Sequence, residues 1–205
     1  MKKNKAISEK ADGYWGVVVM LWVLIKFYLK PDIYLSEFVI KPALFLTVSY
    51  FFLTKYLNQE FWSFLKFKDN HLYKKIYIFS IYAVIILGFY LAFLNHADTG
   101  KIIGINLATS LSEQIFMLSL VFLPKIESSR SVIKAVLKTA ILYLFLRLPS
   151  LYLNTEFFGS IFVYTLISSF FLFLTTTLVF YKMKNLHYAV WLHFIYLNII
   201  TLFYL

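Results

Sequence analysis

Long apolar stretches, broken by short clusters of lysine, asparagine and aspartate, set the pattern of this chain. The stretches are continuous and about 17–25 residues long, the length an α-helix needs to cross a hydrocarbon core of about 30 Å. They lack the ten-residue alternation of membrane strands. Seven spans are predicted, at roughly Gly13–Leu29, Val39–Leu57, Ile76–Leu94, Ile102–Leu123, Lys134–Leu153, Phe157–Tyr181 and Leu186–Leu205. The expected fold is therefore all-α, a polytopic transmembrane helical bundle forming one domain over residues 1–205. No internal repeat and no separate soluble domain is visible. The longest loop, Phe61–Lys75, reads as interfacial from Trp62 and its lysines.

Punctuation within the spans refines this picture. Pro42 falls in the first turn of the second span, where the missing N–H is tolerated. Pro124 is expected to help stop the fourth span, and Pro149 to kink or end the fifth. The first span is short, and Lys26 and Lys30 are expected to snorkel from its end.

Composition agrees with the pattern. The chain is 61% hydrophobic and 15% charged, against about a quarter charged in soluble domains. Lipid is the medium that tolerates such a surface, and it demands that backbone polar groups pair internally. The net charge of +10 comes from residues in short loops, which points to topology and anionic headgroups rather than nucleic acid. With the N-terminus in the cytoplasm, fifteen of the twenty basic residues lie on the cytoplasmic side. Lys26, Lys30, Lys41, Lys101 and Arg147 remain outside. The positive-inside pattern thus gives N-in and C-out. The first apolar run lacks a small-residue cleavage site and reads as a span rather than a signal peptide. Richness in Lys, Asn, Ile, Phe and Tyr hints at an AT-rich bacterial genome, so the expected location is the bacterial cytoplasmic (inner) membrane. There is no cysteine, which excludes disulfides, thiolate metal sites and cysteine nucleophiles.

Polar groups deep in spans are the functional candidates. Glu113 lies about eleven residues, roughly 16 Å, from the outer end of its helix, and His193 about twelve residues, roughly 18 Å, from the outer end of the last one. The two are expected to meet at one level. Arg147 is shallower, roughly 9 Å deep, and long enough to reach inward as a charge partner. Asn106 and Asn198 share helices with Glu113 and His193. Plainer readings stand beside these. Glu113 could be a neutral acid bonded to neighbouring helices or a partner of Arg147, His193 a packing histidine, and the asparagines interhelical glue. His71, His96 and His187 sit at loops or interfaces, and Thr175–Thr177 can bond their own helix. No set of three ligands for a metal is expected.

The runs Ser112-Glu113-Gln114-Ile115-Phe116-Met117-Leu118, Phe145-Leu146-Arg147-Leu148-Pro149 and Leu186–Phe194 stand in the order of three motifs. In this the chain resembles the CPBP family of CAAX proteases and bacteriocin-processing intramembrane proteins. The family pattern is Glu-Glu-x-x-x-Arg, then Phe-x-x-x-His, then His-x-x-x-Asn. Tyr34–Trp62, with Ile40-Lys41-Pro42-Ala43-Leu44, is similar to the family's early helices. The resemblance implies Glu113 as general base and His193, with Asn198, as oxyanion stabilisers. Departures accompany it. Gln114 stands for the second Glu, Leu118 for the arginine and Pro149 for the histidine, while Asn198 lies five residues after His193 rather than four.

The resemblance and its gaps together imply a degraded protease site in a binding or assembly subunit. Its partner would be another integral membrane protein or a peptide, with no cofactor. The alternatives are a residual intramembrane glutamic-type protease acting on a peptide or prenylated substrate, and a small proton-linked transporter. Other membrane chemistries lack their signatures. There is no His-Glu-x-x-His zinc motif, no Gly-x-Ser nucleophile turn and no glycine loop to cradle phosphate.

Overall fold

The structure, a computed structural model, describes residues 2–29, 31–32, 35–60, 97–129, 131–154 and 159–204. The predicted third span, Ile76–Leu94, and the loop Phe61–Lys75 lie outside the described residues. Those described are helical, with no strand among them. The helices are α1 (Lys2–Leu24), α2 (Lys41–Lys55), α3 (Ala97–Met117), α4 (Leu123–Ser129), α5 (Val132–Asn154), α6 (Ser160–Met183) and α7 (Leu186–Tyr204). Three π-helical turns complete them, Ile25–Leu29 after α1, Leu35–Ile40 before α2 and Leu118–Phe122 between α3 and α4.

Among the described residues four helical runs are long and apolar enough to cross a membrane: Ala6–Leu29, Leu35–Lys55, Gly100–Ser129 and Ser160–Met183. Leu186–Thr201 is a shorter apolar helix. The fifth predicted span is also helical, as α5, but Lys134, Lys138 and Arg147 dilute its apolar character. The outside of the bundle is apolar. Met20, Tyr28, Ile133, Tyr164 and Phe171 are all largely exposed, as side chains facing lipid would be.

The prolines explain the π turns. Each π turn ends two residues before a proline: Leu29 before Pro31, Ile40 before Pro42 and Phe122 before Pro124. A proline cannot donate to the carbonyl four residues back, and its ring crowds that carbonyl. At Pro42 and Pro124 a wider turn upstream moves the carbonyl aside and a single inserted residue keeps the helix going, whereas Pro31 lies beyond the helix end. Leu123 N–H accordingly bonds Leu118 O. Pro124 therefore does not stop the fourth span, as its sequence position suggested; helix continues through it to Ser129. Pro149 likewise does not end its helix, which runs on to Asn154. The first helix begins well before Gly13, because Lys, Glu and Ala favour helix and carry it out beyond the apolar run. There Asp12 pairs with Lys138 of α5 at 2.5 Å.

Helix α3 is central. In Gly100–Ser129, 78% of the most apolar window is buried inside the protein, against 22–33% in the other three spans. Every residue from Ser112 to Phe122 is buried. Around it pack aromatic pairs: Phe45 stacks on Phe116 with ring centres 4.4 Å apart, and Tyr143 stacks on Phe173. Lys184, in the left-handed conformation at φ 52°, closes α6, and Asn185 Oδ1 accepts the His187 N–H at 3.0 Å to start α7. This two-residue link folds α7 back along α6.

Lipid is as apolar as Phe or Leu, so packing rather than water exclusion holds such a core together. Phe116→Ala, which empties the stack on Phe45, should lower unfolding stability in detergent by about 2–4 kcal/mol. Ile133→Ala, on the lipid face, should stay within about 0.5 kcal/mol. Equal losses in a denaturant titration would contradict the placement of α3.

Candidate functional site

One face of α3 is polar at helical spacing. Asn106, Ser110, Glu113 and Gln114 fall at i, i+4, i+7 and i+8, and all are buried. Helix α2 and its π turn present a matching face, Glu37, Lys41, Phe45 and Ser49, in steps of four. On the first helical run Trp22 and Lys26 do the same, and Tyr143, Arg147 and Ser150 follow on α5. Helices α6 and α7 add Thr176 and His193. These faces converge.

Lys41 is the hub. Its Nζ contacts Glu113 Oε1 and, at 2.7 Å, Glu37 Oε2. Lys26 Nζ takes the other oxygen of Glu37 at 2.7 Å and donates to Ser36 at 2.9 Å, while Ser150 donates to Glu37 Oε1 at 3.2 Å. Both ammonium groups lie about 5 Å from the centre of the Trp22 ring. Lys41 is 1% exposed and Glu113 fully buried. Two unit charges 4 Å apart at an effective dielectric near 20 attract by about 4 kcal/mol, whereas removing each from water costs several. One pair would not offset that cost. A lysine between two carboxylates, each with further donors, does so far better.

The second oxygen of Glu113 is also engaged. Tyr143 OH donates to Oε2 at 2.7 Å, and His193 Nε2 lies 3.5 Å from the same atom and 3.2 Å from the Tyr143 oxygen. The single hydroxyl proton of Tyr143 goes to the carboxylate, so His193 Nε2 carries the proton on its side. His193 Nδ1 is then an acceptor, and Gln114 Nε2, 3.4 Å away, donates to it. The other amide hydrogen of Gln114 goes to Thr176 Oγ1 at 3.1 Å. The proton assignment follows from the need for every contact to pair a donor with an acceptor. Donation therefore runs from Gln114 through His193 to Tyr143 and Glu113.

Glu113 and His193 thus stand together, and Gln114 binds the far side of the same imidazole. Arg147 is near: its Nη1 lies 3.8 Å from Glu113 Oε1. Asn198 lies elsewhere. It accepts from Asn106 Nδ2 at 3.3 Å and donates to Phe194 O at 2.7 Å, tying α3 to α7 seven residues along α3 from Glu113. Among the described residues no group of three or more His, Asp or Glu could hold a metal ion.

Sequence reasoning passed over Lys26, Glu37, Lys41 and Tyr143. Lys26 does not snorkel from a helix end; it is buried against Glu37. Glu113 is not an isolated carboxyl awaiting one arginine, for Lys41 reaches it first. The available signal was the i, i+4 pair Glu37–Lys41 opening an apolar run. No family model matches the chain, and neither curated proteins nor solved structures give a match.

Lys41→Met should leave Glu37 to Lys26 alone and take from Glu113 its nearest cation, at a cost of about 3–5 kcal/mol. Adding Glu113→Gln to it should recover a measurable part, read as a coupling energy in a double-mutant cycle. Strict additivity would contradict the ion pair.

Proposed function

We propose that this chain is a seven-span, N-in/C-out protein of the bacterial cytoplasmic membrane, CPBP-like in plan, that serves as a binding or assembly subunit. Its partner is another integral membrane protein or a peptide, held by helix packing and a few polar contacts. The observation that carries this reading is that side chains contact both oxygens of Glu113, Oε1 through ion pairs and Oε2 through a hydrogen bond. Lys41 occupies one of its oxygens, and Tyr143 and His193 occupy the other. A general base must accept a proton from a water within hydrogen-bond reach, and an oxyanion donor must aim at the developing charge. Here the N–H of His193 points at Tyr143 and Glu113. The groups a hydrolase would turn on its substrate are bonded to one another. Gln114, Leu118 and Pro149, at positions where the family pattern has Glu, Arg and His, agree with a closed site. Seven spans and their orientation rest on hydropathy and on the fifteen basic residues assigned to the cytoplasmic side.

A proton-linked transporter is the second reading, favoured by the unbroken hydrogen-bonded chain from Gln114 to Glu113.

The test is reconstitution into liposomes with fluorogenic transmembrane and prenylated peptides, comparing wild type with Glu113→Gln and His193→Ala. No cleavage that depends on either residue is expected, and the native particle in mild detergent should exceed the 24.2 kDa monomer. Cleavage abolished by both substitutions would overturn the reading in favour of a protease; proton uptake lost in Glu113→Gln would move it to the transporter. Topology has its own check. The chain has no cysteine, so single cysteines placed at Lys3 and Leu205 should react with impermeant maleimide from opposite sides of the membrane. Labelling from one side would exclude an odd number of spans.

A further inference from the structure

Among the described residues the buried charges do not balance. Lys26, Lys41 and Arg147 face two carboxylates, Glu37 and Glu113. The lysines claim both: Lys26 and Lys41 hold Glu37, and Lys41 holds Glu113. Among the described residues Arg147 is the surplus cation. Its one ionic contact among the described residues is the 3.8 Å approach to Glu113 Oε1, beyond hydrogen-bond length. Among the described residues its Nε is buried with no hydrogen-bond acceptor.

A permanently charged guanidinium with a buried, unbonded N–H inside an apolar bundle is costly, and native structures seldom leave such groups unmatched. Its fork fits two oxygens of one phosphate or carboxylate group. Arg147 is also reachable, since 12% of its side chain is exposed. It stands seven residues before Asn154, the end of α5, about 10 Å at 1.5 Å per residue. That is less than the roughly 15 Å half-thickness of the hydrocarbon.

We propose that Arg147 is an anion site that binds a phosphate group, supplied by a phospholipid headgroup or by free phosphate, and that this ligand supplies the negative charge the buried cluster lacks. The site does not depend on whether the chain is an assembly subunit, a protease or a transporter.

The test uses the purified full-length chain in detergent micelles. In one arm, native mass spectrometry counts retained dioleoylphosphatidylglycerol against dioleoylglycerol, which has the same chains and no phosphate. In the other, millimolar inorganic phosphate is added and the thermal midpoint read. The expected result is phosphate-dependent binding in at least one arm. It should fall about tenfold, or about 1.4 kcal/mol, in Arg147→Gln, fall less in Arg147→Lys, and be unchanged in Lys182→Gln. Lipid retention alone assigns the phosphate to the bilayer, and a midpoint shift by inorganic phosphate alone assigns it to solution; either supports the site. Equal retention of the two lipids together with no midpoint shift overturns it, as does phosphate binding undiminished in Arg147→Gln. If Arg147→Gln does not fold, the comparison of ligands on the wild-type chain decides.

Discussion

The contact of Lys41 with two carboxylates is the interaction on which the rest of the interior depends. It joins Glu37, in the π turn before α2, to Glu113 at the centre of α3. Through Glu37 it reaches Lys26 at the end of the first helical run, and through Glu113 it reaches Tyr143 and His193. Removing Lys41 would therefore uncouple helices that never touch the lysine. Aromatic contacts surround this axis, with Trp22 beneath both ammonium groups and Phe45 against Phe116. The rings provide a wall of low polarity, which strengthens each attraction inside it and makes each missing partner more costly.

Much of the architecture was legible in the chain. Helices follow from apolar runs of spanning length, and six of the seven predicted spans fall on helices described here. The juxtaposition of Glu113 and His193 was legible too, because counting residues from helix ends gives depth. What escaped was the identity of the partners. Lys26 and Glu37 lie in π turns that flank the link around Pro31. Counting from the ends of the apolar runs places them at helix ends facing headgroups. Tyr143 escaped for another reason. Among sixteen tyrosines in a membrane chain, one whose hydroxyl points inward has no distinguishing sequence mark, since interfacial belts use the same residue. Pro124 misled because proline marks a helix end only when the preceding turn keeps α geometry.

The hydrogen-bond order bears on chemistry more than the residue identities do. A glutamate and a histidine within 3.5 Å could belong to a hydrolase or to a structural lock. The difference is where their donors and acceptors point. In a hydrolytic site at least one lone pair of the base and one N–H of the oxyanion donor face an open volume. Here Gln114 fixes the imidazole from behind, and its Nε2–H faces the Tyr143–Glu113 pair. A glutamate in place of Gln114 would bring a second carboxylate beside His193 and could not donate to Nδ1. The amide at this position thus directs the imidazole toward Glu113.

Why keep so many charges in an apolar molecule? In water, burial of greasy faces drives collapse and tolerates several packings of similar energy. In lipid that drive between helices vanishes, because a leucine gains little by exchanging a lipid tail for another leucine. Rotating α2 about its axis would cost little if its faces were all Phe, Leu and Val. With Glu37 and Lys41 on one face, any rotation that breaks their contacts puts charge into hydrocarbon. The same reasoning applies to α7, which His193 and Asn198 fix against α3 at two heights through Gln114 and Asn106. A few expensive side chains, each affordable only in one arrangement, thereby select the order and rotation of helices that their apolar surfaces leave nearly undetermined.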